Sequence, residues 1–112
     1  PGKSIMADLP SEELESYLEE VTLKKFTKTT LSTTRALKKE LKEIRGIGFA
    51  IDRAEGLDGI HCVSAVILDD YEYPVGAITT IGPSFRVPEK RFQTIGKICM
   101  RAASEIRKKI LS

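Results

Sequence analysis

The chain has 112 residues, 41% hydrophobic and 30% charged, which is enough apolar material for one core and leaves no room for a second domain. Its 18 basic and 16 acidic residues leave a formal net charge of +2, so the whole chain makes no broad electropositive field of the kind that carries nonspecific nucleic-acid binding. Both cysteines lie inside apolar patterns, and no stretch has the apolar length of a membrane span or a signal peptide, so a reducing cytoplasm is the expected compartment.

The chain starts at Pro1 without an initiator Met and enters a helix at once, which reads as a piece of something longer. The first strong helix signal is Leu9-Pro10-Ser11-Glu12-Glu13, with Pro in the first turn and acids where the positive helix end favours them. Leu14, Leu18 and Val21 then share one face. Residues 24 to 30 are rich in Lys and Thr and have no helical period, so they read as a loop or a short edge segment. Ser32 or Thr33 is placed to cap a second helix whose Leu37, Leu41 and Ile44 face inward, and Gly46 or Gly48 is placed to end it.

The period then changes from about 3.6 to 2, which marks the move from helix to sheet. Phe49 to Asp52 is one predicted strand and Ile60 to Leu68 the next, with Ala54-Glu55-Gly56-Leu57-Asp58-Gly59 as a sharply bending loop between them. After Asp69-Asp70-Tyr71-Glu72, Tyr73 to Ile81 completes a hairpin, and Gly82-Pro83 stops it. Pro88-Glu89 starts a long last helix in which Phe92, Ile95, Cys99, Ala102, Ile106 and Ile110 recur at steps of three and four. The expected fold class is α+β: an antiparallel sheet with helices packed on one of its faces. Three short strands would leave a long unpaired edge, so the pattern predicts further strands upstream or pairing in an oligomer.

Three polar side chains stand out within this sheet. If Asp52 and Cys62 flank a turn and Thr79 lies on the next strand, a carboxylate, a thiol and a hydroxyl converge on one concave space. Each also has a plainer role: Cys62 and Cys99 as core, Asp52 as a turn former, Thr79 as a good strand residue. Only as a set do Asp52, Cys62 and Thr79 gain functional weight.

Gly2-Lys3-Ser4-Ile5-Met6-Ala7, Leu31 to Leu37, Gly48-Phe49-Ala50-Ile51-Asp52, Gly59-Ile60-His61-Cys62-Val63-Ser64-Ala65 and Ile78-Thr79-Thr80-Ile81-Gly82-Pro83 together resemble the effector-binding domain of IclR-type transcription regulators. The motifs are short, but their order and spacing cover nearly the whole chain. The resemblance implies a GAF-like (GAF/profilin-like) effector-binding domain over residues 1–112, lacking its first strands and the preceding winged helix-turn-helix DNA-binding domain. It implies no cofactor and no metal. It implies a small organic effector, a carboxylate-bearing metabolite or aromatic acid, held in a homodimer or homotetramer with no membrane partner, and DNA contact only through the missing domain.

By the same resemblance, Asp52, Cys62 and Thr79 match the family's pocket carboxylate, thiol and hydroxyl, whereas Ile81 stands where the family has a second hydroxyl. Residues 79 and 81 point to the same side of a strand, so a hydrogen-bond donor has become an apolar wall, and the expected ligand is less polar than a small keto acid. Family members also hold the ligand's carboxylate with backbone N–H groups beside the Gly-Lys. Pro1 has no N–H, so either Gly2 and Lys3 supply that anchor, or the anchor is weaker here, or Pro1 belongs to an artificial boundary.

Two rival readings remain. A cysteine hydrolase would need a base for Cys62, but His61 is its strand neighbour and projects to the opposite face, and the chain has no second histidine. Zinc meets the same obstacle, because Asp52 and Cys62 supply at most two ligands on one side. A ligand-free dimerisation or scaffold domain, with its hollow filled as core, is the other rival.

Overall fold

The computed structural model describes residues 2–24, 28–53 and 59–111. A short helix α1 (Gly2–Ala7) is followed by α2 (Ser11–Lys24) and α3 (Lys28–Ile47). Three strands, β1 (Ala50–Arg53), β2 (Ile60–Leu68) and β3 (Pro74–Pro83), form one antiparallel sheet in the order β1-β2-β3. A single 3-10 turn (Glu89–Arg91) leads into the last helix, α4 (Phe92–Leu111).

The α+β architecture and the three strands agree with the sequence pattern; two features of the helices do not. Residues 25–27 of the expected loop lie outside the described residues; residues 28 to 30 open α3 rather than lying in a loop, so Ser32 and Thr33 fall inside the helix and not at its start. The threonines there lower helix propensity by at most about 0.7 kcal/mol each, less than a long helix gains by packing its Leu37, Leu41 and Ile44 face. Leu41 and Ile44 are buried and Leu37 packs beside them. The inward face expected of Val21 and the loop expected over residues 54–58 lie outside the described residues.

The end of α3 is set by Gly48. Its φ of +102° is left-handed, a conformation open to glycine, and its amide donates to the Ile44 carbonyl at 2.7 Å, which closes the helix.

Helices cover both faces of the sheet rather than one. Val63, Ala65 and Ile67 of β2 join Phe49, Val87, Phe92, Ile95, Cys99 and Ala103 in a core between the sheet and α4. On the other face Ala50 joins Ala7, Leu41 and Ile44, flanked by Met6, Leu14 and Leu37, under α1 and α3. The near-continuous apolar run of β2 is the pattern of a strand buried on both sides. On α4 the inward stripe passes through Ala103 rather than Ala102, because four residues, not three, return the helix from Cys99 to the centre of its buried face. Ile110 shares that face but is 54% exposed, since Ile106 is the last residue of the helix packed on the core.

The β2–β3 turn is built on Asp69, whose carboxylate accepts the amides of Tyr71 and Tyr73 at 2.8 and 3.0 Å. Arg107 of α4 secures it, with Nη2 donating to the Asp69 carbonyl at 3.0 Å and to Glu72 at 2.7 Å.

Candidate functional site

Strand pairing places the predicted polar residues in register. Asp52 is directly opposite Cys62, Cys62 is opposite Ile81, and Ser64 is opposite Thr79. Alternation then puts Asp52, Cys62, Ser64, Thr79 and Ile81 on the face away from α4. The neighbouring residues point the other way: His61 contacts the Val87 carbonyl through Nδ1 at 2.7 Å and meets the Phe92 ring edge-on at 5.2 Å. Thr80 lies 3.4 Å from the Sγ of Cys99, which also reaches the Val63 carbonyl. His61 and Cys62 are therefore on opposite sides of the sheet, with no route for a proton between them.

A hollow of about 280 Å³ opens on the polar face, between α1 and the first two strands. Asp52, Cys62 and Ser64 form its sheet wall with Ala50 and Ile51. Gly2, Lys3 and Met6 form the helical wall. Of the five residues expected from sequence, the hollow brings together Gly2, Asp52 and Cys62. Thr79 is half-buried one strand further on, beyond Ser64, and Ile81 is 66% exposed; neither lines the hollow.

Met6 and Ser64 line it without having been singled out as site residues, and Lys3 was expected to contribute only its backbone amide. For Ser64 a signal was present, since it is two residues beyond Cys62 and shares its face. Lys3 and Met6 depend on how α1 docks, which no local pattern encodes.

Two contacts fix α1 against this wall. The Oγ of Ser64 donates to the Oγ of Ser4 at 3.2 Å, both residues being buried. The ammonium of Lys3 donates to Glu40 of α3 at 3.0 Å, which leaves its charge at the rim, partly balanced. The hollow thus presents a cation and an amide-bearing helix start on one side, and a carboxylate, a thiol and a hydroxyl on the other. Its size, at the low end of ligand pockets, suits a small metabolite. Among the described residues no group of three or more His, Cys, Asp or Glu side chains is placed to hold a metal ion, and no helix is long and apolar enough to cross a membrane.

The sequence and fold have clear counterparts among known proteins. Residues 1–108 match the family described as "Bacterial transcriptional regulator IclR C-terminal". The HTH-type transcriptional repressor AllR of Escherichia coli is 36% identical over 105 residues, covering 94% of this chain and 39% of the repressor. The AllR of Klebsiella pneumoniae is 33% identical over the same length. Among solved structures, the Thermotoga maritima IclR superposes with a TM-score of 0.83 at 38% identity, covering 96% of this chain and 44% of that one. The C-terminal domain of the E. coli transcriptional regulator KdgR gives 0.77 at 27% identity, covering 96% of this chain and 65% of that one.

The chain belongs to the IclR family of bacterial transcriptional regulators and corresponds to the family's C-terminal domain. It spans less than half the length of the AllR repressors it matches.

Proposed function

We propose that the chain is the effector-sensing part of an IclR-type regulator, that the hollow between α1 and the sheet is its ligand site, and that the ligand is a small organic molecule bearing a carboxylate. The observation that carries this reading is the meeting of Lys3 and the Gly2 end of α1 with Asp52, Cys62 and Ser64 around one small space. A cation and backbone amides suit the carboxylate; Asp52 and Ser64 suit hydroxyl or keto groups at the far end of the molecule. Thr79 adds a further hydroxyl for a ligand that reaches across β3, and Ile81 an apolar margin beside it.

The proposed mechanism is a population shift. A ligand held between α1 and the strands favours the arrangement in which α1 is seated. Lys3–Glu40 and the packing of Ala7 beside Leu41 and Ile44 pass that preference to α3. In a homodimer or homotetramer this changes the spacing of winged-helix DNA readers carried elsewhere in the regulator. The available energy is the ligand's differential affinity for the two arrangements. No catalytic step is assigned, because His61 and Cys62 face opposite ways.

Thermal melts of the intact regulator against small carboxylates, sugar acids and aromatic acids test the reading. A true effector stabilises by roughly 2.7 kcal/mol at a hundredfold excess over its Kd, and Asp52→Ala removes most of that gain while leaving effector-free DNA affinity intact. No stabilisation across the panel would favour a ligand-free dimerisation or scaffold domain. Equal loss of both properties in Asp52→Ala would indicate misfolding.

A further inference from the structure

A second hollow, of about 320 Å³, lies at the other end of the sheet, where the far part of β2 meets α4 and the end of α3. Its floor includes Leu68, Met100 and Ala103, while Arg45, Arg107 and Ser104 supply polar groups. The Nε of Arg107 is buried and has no hydrogen-bond partner among the described residues, although Nη2 of the same side chain is fully engaged with Asp69 and Glu72. A buried N–H left without an acceptor is unfavourable, and a guanidinium is best satisfied by a planar oxyanion. Arg45 reaches only weakly to Asp8, at 3.9 Å, and its side chain is largely exposed at the mouth.

We propose that this second hollow is a separate site for a small monocarboxylate with an apolar body. The carboxylate accepts from Arg107 Nε, with Arg45 and the Ser104 hydroxyl within the same hollow, and the hydrocarbon part lies on Leu68, Met100 and Ala103. The site is distinct from the α1 hollow: the two share no lining residue, and β2 contributes Cys62 and Ser64 to one and its later residues to the other. Asp8 is the one acid in the lining, and Arg45, 3.9 Å away, offsets part of its charge toward an incoming anion.

The two methionines of the chain provide one reporter for each hollow, Met6 in the first and Met100 in the second. Methyl NMR of the intact protein labelled at methionine, titrated with hexanoate, should move the Met100 signal saturably, and hexanol should not. Arg107→Lys, which keeps the charge and loses Nε, and Ser104→Leu, which narrows the hollow from an exposed position, should each weaken hexanoate at least tenfold. Cys62→Leu should leave it unchanged.

A Met100 signal that stays put throughout the titration would overturn the site, and so would an equal response to hexanol. An equal response to inorganic phosphate would overturn the carboxylate assignment. Movement of Met6 alone would place hexanoate in the first hollow, refuting this site while supporting the first.

Discussion

Gly96 offers a sharp test of how α4 seats on the sheet. It is a buried glycine in the middle of a 20-residue helix, where alanine would ordinarily be better by about 1 kcal/mol. Here a Cβ would fall 2.5 to 2.6 Å from three atoms of the Phe49 ring, well inside ordinary contact. The ring has little room to yield, since Phe49 is 6% exposed and shares its cluster with Val63 at 0% and Cys99 at 1%. Overpacking of this kind typically destabilises by about 1–3 kcal/mol, and the lack of slack places Gly96→Ala in the upper half of that range.

Subtracting the propensity gain leaves a net loss of about 1–2 kcal/mol, or roughly 4–8 °C per kcal/mol in melting temperature for a domain of this size. Gly46→Ala is the matched control, because a Cβ at that exposed helical glycine meets nothing, and it should stabilise by about 1 kcal/mol. Urea unfolding followed by circular dichroism measures both. In a Phe49→Leu background Gly96→Ala should lose most of its penalty, giving a coupling of about 1–3 kcal/mol. If Gly96→Ala stabilised the chain as much as Gly46→Ala does, the close seating of α4 on Phe49 would be refuted.

Other outcomes follow from the same structure. Iodoacetamide should label Cys62 no faster than a free thiol at the same pH, and Cys99, 1% exposed, on the order of a hundredfold more slowly, because its reaction needs local opening; an accelerated Cys62 would reopen the catalytic reading. Ser64→Ala should lower stability by about 1 kcal/mol and weaken any carboxylate found to stabilise the protein, whereas Thr79→Val should change that ligand's affinity much less; the reverse order in melts would move the site across β3. Burial holds the Asp8 carboxyl above its ordinary pKa of 3.8, so the folded chain binds that proton more tightly, and stability declines as pH rises from 3.8 through the folded pKa. Asp8→Asn should therefore raise the melting temperature at neutral pH, by an amount that vanishes below that window; an unchanged difference across a pH series would contradict it.

Most of the fold was legible because its signals are local. The alternation of β2, the stripe of α4 and the glycine after α3 each encode an element within a few residues, and the strand register follows from them. What escaped was decided by docking. The start of α3 looked like a loop, since residues 24 to 30 are rich in Lys and Thr and show no helical period of their own. The second covered face was written in β2 as a near-continuous apolar run, but α1 is only 6 residues long and carries no amphipathic signal strong enough to place it there. Of the residues α1 supplies, Gly2 and the Lys3 amide were named by the resemblance, whereas Met6 and the Lys3 ammonium were hidden together with the helix's position.

The division of the sheet into two faces also bears on Ile81. By the family resemblance it reads as a hydrogen-bonding position turned apolar, and hence as a clue to a less polar ligand. In the structure it stands across from Cys62 on the correct face, yet it is 66% exposed and outside the hollow. Ligand polarity is therefore better argued from Lys3, Asp52 and Ser64, which do line the hollow. Ile81 belongs instead with Val75, exposed at 54% on the same strand, to the apolar margin of β3. That margin runs along a strand with β2 on one side and no second strand neighbour among the described residues, so its apolar side chains lie at an unpaired sheet edge and not at the hollow.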